Sequence, residues 1–306
     1  MIIELPNGIQ DTKGEWTKTV EIDEMTGQEE DILMDQARDE GGKGTFKKSG
    51  PRRVTEILSR CTVAIGDDRR PEGRNRFNAP AYFEKVWKDA FSTDRNFAMV
   101  RIRQLTLGPK YTFEKNCPSC RKVIENVTID LASLDVRSIP LEAVKGEHEL
   151  TLPRCKDIVT WRMLTGAHED LTESIMDKFQ SSLVSALIMM KIKKVSVFVK
   201  ETESYDPPSS PPGGLEYLRR LSSADRRFLT HQFDLGEGSI DTEIKITCPN
   251  SACRREFTTR LEVMDPSFFF PSETPSSSSR TSSSSESTGT SLPTPSQDFP
   301  SLEEGG

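Results

Sequence analysis

The sequence predicts an α+β protein of two related lobes, each with helices and a β-hairpin that carries a cysteine knuckle, followed by a disordered C-terminal tail. Three observations predict it. Alternating apolar and polar residues flank two close cysteine pairs, Cys117-Pro118-Ser119-Cys120 and Cys248-Pro249-Asn250-Ser251-Ala252-Cys253. Ser92, Asp94, Arg95, Phe97, Cys117 and Pro118 return 131 positions later as Ser223, Asp225, Arg226, Phe228, Cys248 and Pro249. Residues 266–306 then turn to serine, threonine and proline with little to bury.

Composition narrows the setting. The 306 residues carry a net charge of −7, which argues against nucleic acid as the main partner. No run of about eighteen apolar residues would span a membrane. The N-terminus MIIELPNGIQDTKGEW lacks the charged and apolar regions of a signal peptide. Four of six cysteines fall in two tight pairs, which fits a reducing compartment with a metal better than a disulfide framework. A cytoplasm is the expected location.

The first lobe is expected over 1–135. Ile2, Ile3 and Leu5, a Pro6-Asn7-Gly8 turn, and then Thr17–Ile22 read as an antiparallel hairpin. Thr26-Gly27-Gln28-Glu29 is a capping box that opens a short helix, ended by Gly41, Gly42 and Gly44. A second helix from Pro51 places Val54, Ile57, Leu58 and Cys61 on one face. A loop over Gly66–Ala79 carries Arg69, Arg70, Arg74 and Arg76. Helices follow from Pro80 (Phe83, Val86, Trp87, Phe91) and from Ser92 (Phe97, Val100), and lead into the cysteine hairpin at 111–131.

The second lobe is expected over 148–265. Glu149–Pro153 echoes the first strand, and Thr165-Gly166-Ala167-His168 echoes the capping box with histidine in place of glutamate. A helical stretch runs through Ile175, Met176, Phe179, Leu183, Leu187 and Ile188. A proline-rich loop, Asp206–Gly214, stands where the arginine loop stood. The second cysteine hairpin spans 240–263, with four residues between its cysteines where the first has two. These repeated features mark an internal duplication too long for a solenoid. In the tail, Phe268, Phe269 and Phe270 are placed to dock on the body.

Two cysteine pairs on hairpin tips suit a single tetrahedral zinc held by Cys117, Cys120, Cys248 and Cys253. Redox pairs, local disulfides and free thiols are the competing readings. A thioredoxin-like pair would open a helix, whereas strand follows here. Four thiolates leave no open position for water, so the zinc is expected to be structural. Cys61 and Cys155 read as small buried hydrophobes. His148, His168 and His231 are scattered and suggest no catalytic base. Asp94-Arg95 and Asp225-Arg226 read as helix-start aspartates, with arginines bracing the hairpins. The Glu29-Glu30-Asp31 cluster reads as helix-start acids, and the arginine loop as a solvated run. No phosphate loop, nucleophile elbow or paired-carboxylate constellation appears, so an enzyme is not expected.

Asp94-Arg95-Asn96-Phe97, Arg101–Gly108, Tyr111-Thr112-Phe113 and Cys117-Pro118-Ser119-Cys120 together resemble a tailed-phage baseplate family related to the T-even phage hub-assembly protein. Met25–Leu33 resembles that family's early helix. The resemblance covers 1–135, and 148–265 as a weaker second copy. It implies a structural or assembly protein of the baseplate hub, working in the host cytoplasm or in the virion tail. The implied partners are other baseplate or hub proteins and the tape-measure protein, met through the tail and the loops at Gly66–Ala79 and Asp206–Gly214. The alternative is a zinc-ribbon protein that binds nucleic acid or assists transcription, suggested by Arg121, Lys122, Arg254 and Arg255 beside the knuckles.

Overall fold

The computed structural model describes residues 1–39, 50–71, 82–179, 182–200, 204–205, 214–263 and 266–270. Strand β1 (Ile2–Gln10) pairs antiparallel with β2 (Trp16–Ile22). The turn expected at Pro6-Asn7-Gly8 is instead an irregularity inside β1, where the register shifts between Glu4 and Ile9. Gly8 permits it by adopting φ +111°. The chain reverses later, where the Asp11 carboxylate accepts hydrogen bonds from the backbone N–H groups of Lys13 (2.8 Å) and Glu15 (2.9 Å).

Helix α1 (Gly27–Asp39) starts at the capping box. The Glu29 carboxylate accepts from the Thr26 N–H (2.9 Å) and the Thr26 hydroxyl (2.7 Å), so the acidic cluster serves the helix start. The glycines expected to end α1 lie outside the described residues. Helix α2 (Gly50–Cys61) buries Val54, Ile57, Leu58 and Cys61, as their spacing requires. It runs into β3 (Thr62–Ile65) and β4 (Asp68–Arg69), which complete a sheet of order β1-β2-β3-β4. The loop expected from Gly66 therefore contains a strand, and its first arginines, Arg69 exposed and Arg70 half-buried, both have partners. Arg69 pairs with Glu21, and Arg70 donates to the carbonyls of Ser59 (2.7 Å) and Arg60 (2.9 Å) at the end of α2. Residues 72–81 lie outside the described set.

Helix α3 (Glu84–Asp89) precedes the central helix α4 (Ser92–Leu107), which buries Asp94, Arg95, Phe97, Ala98, Met99, Val100, Ile102 and Arg103. A helix buried on so many sides belongs in the middle of a fold. Gly108, at φ +83°, stops it and returns its N–H to Gln104 O. Strands β5 (Lys110–Asn116) and β6 (Val123–Asp130) form the first cysteine hairpin, with a register shift between Phe113 and Lys115.

The second half comprises β7 (Val136–Arg137), α5 (Leu141–Lys145), β8 (His148–Thr151), β9 (Ile158–Trp161), α6 (Gly166–Phe179), α7 (Leu183–Lys191) and β10 (Ile192–Ser196). It continues through β11 (Phe198–Val199), β12 (Ser204–Tyr205), α8 (Leu215–Arg220), α9 (Ser223–Gly236) and β13 (Ser239–Ile240), and ends with β14 (Glu243–Thr247) and β15 (Glu256–Arg260). The helical stretch expected across 175–188 is two helices, because the Ser182 hydroxyl accepts from the Ser185 N–H (3.3 Å) and starts α7 afresh.

Buried apolar side chains gather in two clusters. The first takes Ile3, Leu5, Val20, Ile57, Leu58, Trp87 and Phe97, together with residues of both cysteine hairpins: Tyr111, Ile124, Ile244, Ile246, Leu261 and Val263. The second holds Leu152, Val159, Trp161, Ile188, Val195, Leu218, Leu229 and Phe233. Phe268 and Phe269 dock in the first cluster as expected, anchored by Arg103 Nε on Phe268 O at 2.9 Å. Residues 271–306 lie outside the described set.

Asp94 and Arg95 reach further than their expected roles. Asp94 Oδ1 accepts from the Asn7 N–H (2.9 Å) and Oδ2 from the Gly8 N–H (3.2 Å), tying α4 to the β1 irregularity. Burial pushes the Asp94 carboxyl up to about 7 against those hydrogen bonds. Arg95, fully buried, does not brace the hairpin. It donates to Thr55 Oγ1 (2.8 Å), Trp87 O (2.7 Å) and Pro51 O (2.8 Å), and pairs with Glu169 of α6 (3.1 Å). A helix leaves its last carbonyls unpaired, and this guanidinium has donors enough to serve Trp87 O in the last turn of α3 as well as its partners on α2 and α6.

Candidate metal centre

Both cysteine pairs sit on turns of two-stranded ribbons that lie in one buried cluster, which brings their tips together. At the first knuckle, the Cys117 N–H donates to Lys122 O and the Arg121 N–H to Cys117 O, both at 2.9 Å. At the second, the Cys248 N–H donates to Arg255 O (2.9 Å), and the Arg254 N–H to Asn250 O (2.9 Å). The bond that closes each knuckle is therefore the same. The two extra residues of the second are absorbed between Cys248 and the turn that Asn250 begins. Arg121 (φ +60°) and Arg254 (φ +44°) both take left-handed backbone directly after the second cysteine.

The four sulfurs lie within 4.8 Å of one another, with Cys117 Sγ to Cys253 Sγ at 3.8 Å and Cys120 Sγ to Cys248 Sγ at 3.7 Å. Those separations are far beyond a disulfide bond. They match the edge of a tetrahedron with metal–sulfur bonds of about 2.3 Å, which is about 3.8 Å. Cys117 and Cys248 are buried and Cys120 and Cys253 half-buried, so the cluster is closed to bulk water on its inner side.

Backbone dipoles prepare the cluster for a cation. The Lys122 N–H, aided by the Asn250 and Cys248 side chains, holds the Cys120 thiol down to about 6 despite burial. The Cys120 N–H likewise lowers Cys117. Cys248 goes the other way. The Asn250 N–H favours its thiolate, but burial and hydrogen bonds with Cys120, Cys117 and Cys253 push it up to about 12. Four thiols this close cannot all ionise alone, and a divalent cation removes that restraint. Sequence reasoning missed Asn250, which acts across the knuckles. The motif carried no signal for it beyond an asparagine in a tight turn.

A third segment uses the same turn without the sulfur set. The Leu152 N–H donates to Asp157 O (2.8 Å), the Lys156 N–H to Leu152 O (3.1 Å), and Lys156 sits at φ +66°. Leu152 occupies the place of the first cysteine, and burial pushes the remaining thiol, Cys155, up to about 11. The turn thus forms without a metal, and the four converging sulfurs are what distinguish the candidate site.

A family model described as T4 bacteriophage base plate protein matches residues 11–270, which include all four cysteines and both hairpins. The chain belongs to that family. No curated protein and no solved structure matches this baseplate protein. Among its described residues, no helix is long and apolar enough to cross a membrane. The histidines have structural places. His148 stacks on Trp161 at 4.5 Å, His231 is exposed, and His168 Nδ1 lies 3.2 Å from the Thr165 N–H and 2.8 Å from its hydroxyl. His168 thereby does for α6 what Glu29 does for α1.

Proposed function

We propose that this chain is a structural or assembly component of the hub region of a phage tail baseplate, acting through protein–protein contacts and held by one structural zinc on Cys117, Cys120, Cys248 and Cys253. The family match over 11–270 carries the assembly role, and the four-sulfur geometry supports the metal. Zinc accepts tetrahedral thiolate sets, and four protein ligands leave no position for a reacting water, so the role is not enzymatic. The partners are other baseplate or hub proteins, with the tape-measure protein among them. The chain works in the host cytoplasm during assembly and in the virion tail.

The same reading takes 1–135 and 148–265 as copies of one lobe. Matched details support it. Thr26 and Glu29 cap α1 as Thr165 and His168 cap α6. Asp94 accepts from the Asn7 N–H, next to Pro6, and Asp225 from the Arg154 N–H (2.9 Å), next to Pro153. A shared zinc would then clasp the tips of both copies.

Supplying the chain to a host infected by a phage lacking its gene is expected to restore baseplates seen by electron microscopy. Normal baseplates without the chain would overturn the assembly role. Metal analysis of the purified chain is expected to find one zinc per chain, and a content well below that would overturn the metal site.

A further inference from the structure

The two knuckles bring more than sulfur to one end of the molecule. Each second cysteine is followed by two cations, Arg121-Lys122 and Arg254-Arg255. Since the sulfurs lie within 4.8 Å of one another, these four positive residues crowd around one tip. All four are exposed, and none makes an ion pair among the described residues. Both arginines that open the pairs hold the left-handed backbone that glycine or asparagine adopts more easily. The rest of the chain is acidic, with a net charge of −7 overall, so the tip is a local positive patch on a negative body. Four thiolates around a divalent ion leave two negative charges, which four cations more than offset.

The chemistry of the tip selects among polyanions. Its other exposed knuckle residues are Pro118, Ser119, Pro249, Ser251 and Ala252, which offer no aromatic face for base stacking. A long nucleic acid would also run along the negative body, whereas a short acidic segment meets only the tip. Arginine pairs carboxylates through two parallel hydrogen bonds. We infer that the double-knuckle tip is a docking surface for an acidic segment of a partner protein, whose carboxylates pair with Arg121, Lys122, Arg254 and Arg255. This inference rests on the reading of the chain as an assembly protein.

The test uses the full metal-loaded chain and a fluorescein-labelled peptide of alternating glutamate and serine, read by anisotropy. Replacing all four tip cations by serine is expected to weaken binding at least tenfold. Replacing Lys88, Lys145, Lys156 and Arg219, which are exposed elsewhere, is expected to leave it unchanged. Equal loss in both variants, unchanged affinity in the tip variant, or no binding by the wild type would overturn the inference. So would tighter binding of a short duplex DNA than of the peptide. If the tip variant loses its metal, the wild-type salt dependence decides. A steep fall in affinity between about 50 and 200 mM salt supports the surface, and a flat profile overturns it. Restoration of baseplates by the tip variant, with peptide binding lost, would overturn the tip's role while leaving the assembly role standing.

Discussion

Asn7 and Gly238, 231 positions apart, close a reciprocal hydrogen-bonded pair: Asn7 Nδ2 donates to Gly238 O at 2.9 Å, and the Gly238 N–H donates to Asn7 Oδ1 at 2.7 Å. Both residues are buried, so one side-chain amide joins β1 to the segment between α9 and β13. Asn7→Ala leaves two backbone groups of Gly238 unpaired and is expected to cost about 2–5 kcal/mol. Gly238→Ala would set its Cβ 2.8 Å from Pro6 O and 2.9 Å from Arg137 O, backbone atoms that cannot swing aside. Urea unfolding measures both. A loss under about 0.5 kcal/mol for either would contradict this account.

Removing the metal should loosen the contact between the hairpins first. Cys117→Ser takes away one buried ligand, and with it metal binding free energy that is also folding free energy. A loss of about 3–5 kcal/mol corresponds to a fall in Tm of roughly 10 °C for a chain of this size. Chelation of the wild type should produce a similar fall, and chelation of the variant little more. Equal Tm values with and without chelator would contradict it.

The cap on α6 is sensitive to acid. His168 accepts hydrogen bonds at Nδ1, and burial, followed by Arg162 nearby, holds its pKa below the ordinary 6.5. The unfolded chain therefore takes up this proton at a higher pH than the folded one. The contribution is present above pH 6.5 and is lost as pH falls from there through the lower folded value. His168→Glu restores the residue found at Glu29, and a carboxylate keeps its charge through this range. Melting curves from about pH 7 to pH 5 should fall less steeply for the variant. Parallel slopes would rule the cap out as the acid-sensitive group.

Arg95 binds four acceptors on three helices, and a lysine cannot replace it. Arg95→Met leaves the carboxylate of Glu169 and the carbonyls of Trp87 and Pro51 without this donor, at an expected cost of about 3–5 kcal/mol. Arg95→Lys should recover only a small part, since a single ammonium lacks the planar fork. Gly166→Ala approaches the same interaction from the other side, because its Cβ would stand 2.4 Å from Arg95 Nη1. Near-wild-type denaturation midpoints for these variants would show the guanidinium to be dispensable.

Local patterns were legible in the sequence wherever one residue's neighbours decide the structure. The alternation of Ile244, Ile246 and Cys248 with Lys245 and Thr247 set the second hairpin, and Thr26 with Glu29 set the start of α1. Features decided by distant partners were not legible. Pro6-Asn7-Gly8 has the composition of a turn, yet Asp94 and Gly238 hold it inside a strand. The strands at 62–65 and 68–69 are too short for periodicity to register, and only pairing defines them, the first with β2 and the second with the first. The four cysteines could be singled out by spacing. Their convergence depends on both ribbons packing in one core, and Asn250 becomes part of the site only through it.

The sulfurs that meet at 3.7 and 3.8 Å are separated by 128 and 136 positions of chain. During synthesis the first knuckle leaves the ribosome on the order of ten seconds before the second. Through that interval it offers two exposed thiols and half of a coordination shell. An early metal would hold on only weakly, and an oxidant would find Cys117 and Cys120 unprotected. The order of translation thus makes the second ribbon the step that seals the centre, so a truncated chain ending before Cys248 should be easily oxidised and poor at keeping zinc.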